Sequence, residues 1–189
     1  KKYTEQILEG DIHTYNQKAA GLPTRDNAKT FIYAFLYGAG AEKLGQIVGK
    51  GSQAGGRLKS KFMKSVPSLA KLIEKVQRIS RKGSVPAMDG RYIRVQSEHS
   101  ALNMLLQSAG AIVAKQWIVE THKLMREHNI KFTQVAMVHD EIQASVPAEQ
   151  AEQAGKLMVQ AAKNAGEVLK FRIPVDAEYS VGKSWLDTH

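Results

Sequence analysis

Residues 25–38, RDNAKTFIYAFLYG, are the most informative stretch of the chain. No helix breaker interrupts it before Gly38, and the preceding Thr24 is a residue type that caps helix N-termini. Asp26 lies in the first turn, where a negative charge complements the helix dipole. The pattern therefore predicts a helix that begins at Thr24 and runs for about three to four turns.

Four side chains of this stretch recur every four residues, so they form one inclined stripe on the helix: Arg25, Lys29, Tyr33 and Tyr37. Two cations and a helix dipole at the N-terminal end suit a triphosphate, and a tyrosine ring one turn later can pack on a sugar and base. From spacing alone, however, a solvated basic face that runs into a core aromatic stripe is the better interpretation.

Composition limits the class of protein. The 189 residues are 43% hydrophobic, enough for one core or two small lobes, and the net charge of +9 favours a polyanionic partner. The absence of cysteine excludes disulfides and thiolate zinc sites, so any metal should be bound by oxygen. Neither a membrane span nor a signal peptide is recognisable, which predicts an intracellular protein. The first residue is Lys1 rather than methionine, so we expect a fragment or a processed product.

The rest of the chain predicts an α+β fold. A helical lobe over residues 1–81 would precede a lobe over 82–189 in which an antiparallel sheet is backed by long helices. Residues 49–56 predict a flexible loop, which lacks the Walker spacing of a phosphate loop. The expected elements after it are a helix at 67–81, a hairpin at 85–95, a helix at 98–128, a strand–turn–strand at 132–146, a helix at 148–169 and a strand at 173–179.

A second group of polar residues interrupts the apolar stretch VAMVHDEI, residues 135–142. His139, Asp140 and Glu141 would be costly to bury unpaired, so they belong at a hairpin tip, where carboxylates can also meet a metal ion. Ordinary turn residues remain an alternative.

A third group lies on the long helix expected over residues 98–128. His99, Asn103 and Gln107 follow one another at four-residue spacing among apolar residues. Hydrogen bonding to another helix is one interpretation of such a row, and contact with a ligand is the other.

Together these stretches resemble family A DNA polymerases, which include bacterial DNA polymerase I and the replicative polymerases of podoviruses. Residues 25–38 resemble the family's motif B, GDIHT at 10–14 its upstream segment, and VHDE at 138–141 its motif C. Residues 101–110 resemble the palm helix, and the likeness continues to GKSW at 182–185.

The resemblance implies a role for each residue. Arg25, Lys29 and His13 would hold the phosphates of an incoming nucleotide, Lys29 would donate a proton to the pyrophosphate, and Tyr33 would pack on the sugar. Asp140 would bind catalytic magnesium with support from Glu141. The implied DNA-contacting residues are Tyr37, at the templating base, with His99, Asn103, Gln107 and His139.

The implied activity is template-directed DNA synthesis with two Mg²⁺ ions, one activating the primer 3′ hydroxyl and the other steadying the triphosphate. The implied partners are primer–template DNA and dNTPs. The resemblance also allows a processivity factor, which would bind through regions outside this chain. Residues 1–81 would be the fingers and 82–189 the C-terminal part of the palm. The implied location is the cytoplasm, that of the host cell for a phage protein.

One departure from the family's pattern concerns the second metal-binding aspartate. No motif A pattern occurs in the chain, nor do the thumb and proofreading nuclease, so we expect the chain alone not to extend a primer. Two alternatives stay open: a noncatalytic nucleic-acid-binding remnant, and a phage-type single-subunit RNA polymerase. Glu141 argues against the latter, in which serine typically follows the aspartate.

Overall fold

A computed structural model describes residues 2–188 and shows helices together with two two-stranded antiparallel sheets. The α+β class is therefore confirmed. The helices are α1 Lys2–Leu8, α2 Ile12–Ala20, α3 Arg25–Leu36, α4 Ala41–Gln46, α5 Ser52–Ser65, α6 Pro67–Ser80, α7 Ala101–Glu127 and α8 Ala151–Val168. The strands are β1 Ser84–Pro86, β2 Tyr92–Arg94, β3 Thr133–Val138 and β4 Glu141–Ser145. Short 3₁₀ helices span Ala148–Gln150 and Trp185–Thr188.

The chain divides into two compact units, of which the first ends at Ser108 and the second begins at Ala109. The division falls inside α7. The boundary predicted near residue 81 concerns the fingers and palm subdomains of a polymerase, and it stays a prediction.

The core of the first unit forms around the inner face of α3. Phe31 and Phe35 are buried and meet Phe62 of α5 edge-on, with ring centroids 5.6 Å and 5.3 Å apart. The predicted start of α3 is confirmed, because the Thr24 hydroxyl accepts the backbone N–H of Asn27 at 3.1 Å. Helix α3 thus has one face fixed in the core and the other exposed.

The flexible loop predicted over residues 49–56 is wrong beyond Gly51, because α5 begins at Ser52. Gly55 is buried inside this helix, and a Cβ atom on it would lie 1.7 Å from the Ala41 carbonyl oxygen. The same atom would lie 2.6 Å from the backbone nitrogen of Gly45. The glycine therefore permits the close approach of α4 and α5, so Gly55 serves packing here instead of flexibility.

Two predictions for the end of the first unit are confirmed. The amphipathic pattern at 67–81 forms α6, with Pro67 in its first turn, and the turn at Gly90, where φ is 86°, joins β1 to β2. Helix α7 begins at Ala101, three residues later than the predicted Glu98. A small core of Val76, Val85, Val95 and Ala101 holds these elements together.

The second unit contains the β3–β4 hairpin, the later part of α7, and α8. Its core is Met125, Ile130 and Ala154, and the Trp117 indole donates a hydrogen bond to the Met158 carbonyl at 2.7 Å. The predicted strand–turn–strand and the helix after it are confirmed. No helix within residues 2–188 is long and apolar enough to cross a bilayer.

The strand predicted at 173–179 is wrong, since these residues pair with no strand in the described part of the chain. They pack on α8 instead. Gly155 and Gly166 leave room for this contact, because Cβ atoms there would lie 2.2 Å from the Tyr179 ring and 2.9 Å from a Val175 methyl. The Tyr179 hydroxyl donates to Glu152 at 2.9 Å, which raises the pKa of the phenol.

Candidate functional site

The four-residue stripe lies on the exposed face of α3 and the residue after it. Arg25 and Lys29 are exposed near the helix N-terminus, and the side chains of Tyr33 and Tyr37 are 51% and 55% exposed. These exposures contradict the interpretation of the tyrosines as a core aromatic stripe. The surface offers two cations followed by two accessible rings, which is the order that a nucleotide's phosphates and its sugar and base require.

Asp11 joins the stripe to the beginning of α2. Its carboxylate accepts the backbone N–H groups of His13 at 3.0 Å and Thr14 at 3.3 Å, and so caps this helix. It also accepts Arg25 Nε at 2.7 Å and Nη2 at 3.3 Å. The Arg25 guanidinium and then the Thr14 hydroxyl hold the pKa of Asp11 well below its usual range, and Asp11 in turn raises the pKa of Arg25. Sequence reasoning missed this residue.

Two predicted contact residues carry polar atoms that the protein leaves unsatisfied. His13 Nδ1 and Asn103 Oδ1 are enclosed and have no hydrogen-bond partner among residues 2–188. Enclosed polar groups of this kind are normally paired with protein or ordered water, so each of the two atoms keeps unused hydrogen-bonding capacity.

Three of the predicted DNA-contacting residues meet within the first unit. Gln107 Nε2 donates to the Tyr37 hydroxyl at 3.2 Å. Gly38 follows in the left-handed region with φ of 79°, and a Cβ there would lie 2.5 Å from the His99 carbonyl oxygen. The two interactions join the end of the stripe to α7 and to the segment just before it.

His139 and Asp140 form the two-residue turn of the β3–β4 hairpin, since Val138 pairs with Glu141. The tip position predicted for this group is therefore observed. His139 has φ of 55°, which is uncommon for a residue other than glycine, and Asp140 is exposed.

The donor chemistry of the hairpin tip suits Mg²⁺, because Asp140 and Glu141 supply hard carboxylate oxygens. Among residues 2–188, however, no three His, Cys, Asp or Glu side chains gather as a metal site would need. The tip thus offers part of a coordination shell. It belongs to the second unit, whereas the other predicted site residues belong to the first.

Comparison with known proteins gives one consistent match. The family model described as DNA polymerase family A matches residues 7–187. The DNA-directed DNA polymerases of Enterobacteria phage T3 and Escherichia phage T7 are each 43% identical over 213 aligned residues, covering 100% of this chain and 30% of the relative. The polymerase of Escherichia phage Phieco32 is 40% identical. The chain therefore spans about a third of the length of the relatives it matches.

Among solved structures, the fold resembles the POL domain of Pol1 from M. smegmatis, in complex with DNA primer–template and dNTP. The TM-score is 0.79 at 19% identity, and the match covers 93% of this chain and 34% of the other. At that identity the likeness concerns the fold.

Proposed function

Because the chain belongs to DNA polymerase family A, we propose that it forms the fingers and the C-terminal part of the palm of an enzyme that copies DNA. The fingers would be residues 1–81 and the palm part 82–189. The reaction would join a dNTP to a primer 3′ end and release pyrophosphate. The exposed stripe on α3, which Asp11 links to α2, is the observation that carries this proposal.

On the nucleotide side, Arg25, Lys29 and His13 bind the triphosphate. Cations at a helix N-terminus bind phosphate through charge-assisted hydrogen bonds, and His13 Nδ1 has no hydrogen-bond partner among residues 2–188. Lys29 also donates a proton to the leaving pyrophosphate, a role that an ammonium can fill at neutral pH. Tyr33 packs on the sugar with its exposed ring.

On the DNA side, Tyr37 lies beside the templating base, and His99, Asn103 and Gln107 contact primer and template. Minor-groove acceptors are nearly the same for all base pairs, so an amide donor there checks pairing without reading sequence. The Gln107–Tyr37 hydrogen bond supports this assignment, because it joins two of the side chains proposed to contact the DNA. His139 approaches the primer terminus.

In the palm part, Asp140 with support from Glu141 would hold Mg²⁺, which when bound neutralises phosphate charge and favours loss of the primer hydroxyl proton. Family A enzymes use two such ions, and Asp140 supplies only part of their ligands. The remaining carboxylate would come from outside residues 1–189, and the match of this chain to only 30% of each phage relative is compatible with that. We therefore expect the chain alone not to extend a primer.

The comparisons support partners as well as chemistry. The M. smegmatis structure contains primer–template and dNTP, which are the partners proposed for this chain. The phage relatives are DNA-directed DNA polymerases, which favours DNA over RNA as the product and the cytoplasm of an infected host as the location. A processivity factor would bind through regions outside the chain.

Substitutions in the full-length polymerase test the proposal. Asp140→Asn should lower turnover by about three orders of magnitude with unchanged DNA affinity, because it removes a metal ligand. Lys29→Ala should raise the dNTP KM and also lower kcat. Steady-state primer extension measures both, with Lys61→Ala, at an exposed position of α5, as a control for general loss of positive charge. If Lys29→Ala altered only the salt dependence of DNA binding, the stripe would be a DNA-contact face and the nucleotide assignment would be wrong.

A further inference from the structure

We propose that Asp11 is a positioning residue for the nucleotide triphosphate, because it fixes the plane of the Arg25 guanidinium and so aims its remaining N–H donors at the phosphates. This inference rests on the nucleotide-binding role proposed for Arg25.

The Asp11 carboxylate is held in place by hydrogen bonds that do not involve Arg25. Oδ1 accepts the backbone N–H groups of His13 and Thr14, at 3.0 Å and 3.3 Å, and Oδ2 accepts the Thr14 hydroxyl at 2.8 Å. Three donors from the first turn of α2 therefore set the orientation of the carboxylate. It is a rigid acceptor as opposed to a mobile surface charge.

Arg25 meets this acceptor through two of its five N–H groups, Nε at 2.7 Å and Nη2 at 3.3 Å. A guanidinium is planar, so two hydrogen bonds to one carboxylate define its plane and leave three N–H donors for another anion. The side chain is half-exposed, with 52% of its surface accessible, so those donors can be reached. Without Asp11, four side-chain torsions would have to be ordered each time a nucleotide binds.

The same contact links two predicted phosphate ligands that lie on different helices. Arg25 opens α3, and His13 lies two residues after Asp11 in α2. One carboxylate therefore bonds both the His13 backbone and the Arg25 side chain.

Positioning and simple electrostatics predict opposite results for removing the charge of Asp11. A carboxylate near a triphosphate repels it, so loss of the charge alone would strengthen nucleotide binding. Loss of positioning would weaken it. The low pKa of Asp11 means that the carboxylate is ionised throughout the neutral range, so both effects operate at the pH of an assay.

Asp11→Asn separates the pair with Arg25 from the helix cap. Asparagine and serine cap helices about as well as aspartate, so Asp11→Asn and Asp11→Ser should keep α2 intact. Neither offers Arg25 a charged two-oxygen acceptor. Amide exchange of α2 in the full-length enzyme verifies that the helix is preserved.

The experiment is dNTP titration of primer extension by the full-length polymerase. Asp11→Asn and Asp11→Ser should each raise the dNTP KM about threefold to tenfold, the cost of ordering one long side chain, with kcat and DNA affinity nearly unchanged. In an Arg25→Ala background, Asp11→Asn should have no further effect, because its partner is absent. Asp26→Asn is the matched control: this neighbouring carboxylate in the first turn of α3 has no hydrogen bond to Arg25.

An unchanged or lower KM for Asp11→Asn would overturn the inference, as would an effect that persists in the Arg25→Ala background. If Arg25→Ala raised the KM but Asp11→Asn did not, only the positioning role would be lost. If Arg25→Ala itself left the KM unchanged, the phosphate-binding role of Arg25 and the inference built on it would both be wrong.

Discussion

In the first unit, side-chain partners hold two of the predicted contact residues, whereas in the second the backbone of a turn places Asp140. Arg25 is bound by Asp11, and Tyr37 by Gln107. Asp140 instead follows His139, whose φ of 55° lets two strands meet in a two-residue turn. Among residues 2–188, Asp140 itself makes no hydrogen bond or ion pair that would orient its side chain.

The two kinds of support predict different responses to substitution. A residue held by a side-chain partner should respond when either partner is truncated, while the rest of its helix stays folded. The position of a residue held by a turn should instead change when its neighbour is replaced by a residue that does not tolerate a positive φ. The functional groups of that neighbour's side chain should matter less.

Among the predictions that compare the two units, the largest effect is expected at Tyr33, which tests the exposed stripe of the first unit. With Tyr33 packed on the nucleotide sugar as proposed, a dideoxynucleotide, which lacks the 3′ hydroxyl, would leave a polar niche beside the ring unfilled. The tyrosine hydroxyl can supply the missing hydrogen-bonding group, and phenylalanine cannot. We expect Tyr33→Phe in the full-length enzyme to increase discrimination against dideoxynucleotides about 10- to 100-fold, with ordinary incorporation nearly unchanged.

Single-nucleotide incorporation kinetics with both substrate types measures this selectivity. Tyr92→Phe provides a matched loss of hydroxyl, since Tyr92 is 77% exposed and lies on β2, outside the stripe residues. Equal selectivity in Tyr33→Phe and the unaltered enzyme would remove Tyr33 from the nucleotide site.

A second prediction tests whether close packing of α4 against α5 makes the first unit rigid, as side-chain pairs require if they are to fix the positions of contact residues. Gly55→Ala should destabilise the α4–α5 contact by about 1–3 kcal/mol, because its Cβ meets the Ala41 carbonyl. Gly56→Ala, one residue on, has no heavy atom within 4 Å of its Cβ and should stabilise α5 by about 0.5–1 kcal/mol. Amide exchange of α4 and α5 in the full-length enzyme reports both changes. Similar shifts in the two variants would mean that the contact is loose.

Local signals in the sequence predicted most of the fold. The Thr24 cap, the turn at Gly90 and the period of α6 depend on neighbours a few residues away, and each was placed within a few residues. The errors depend on distant partners. Gly55 could be assigned to a helix only once Ala41 was known to lie against it, and residues 173–179 form no strand because none pairs with them in residues 2–188.

The candidate site was predicted to a similar extent. Spacing alone predicted the four-residue stripe on α3 but favoured burial of its two tyrosines. The functional roles of the stripe residues came from the resemblance to a family. Asp11 carries a local signal, since an aspartate before a helix is a cap. Its pairing with Arg25 spans 14 residues and two helices, and no periodicity reports such a contact.

The smallest effect is expected at His139, where the comparison between the units is most direct. Asparagine and valine both remove the imidazole, so any loss of primer contact is common to His139→Asn and His139→Val. They differ in the backbone: asparagine tolerates the left-handed region, whereas a β-branched residue there costs about 1–2 kcal/mol. We therefore expect His139→Val to speed amide exchange in β3 and β4 and to lower primer extension further than His139→Asn does. Exchange by mass spectrometry and single-turnover extension in the full-length enzyme measure the two quantities. Indistinguishable behaviour of the two variants would show that the left-handed backbone of the turn does not position Asp140.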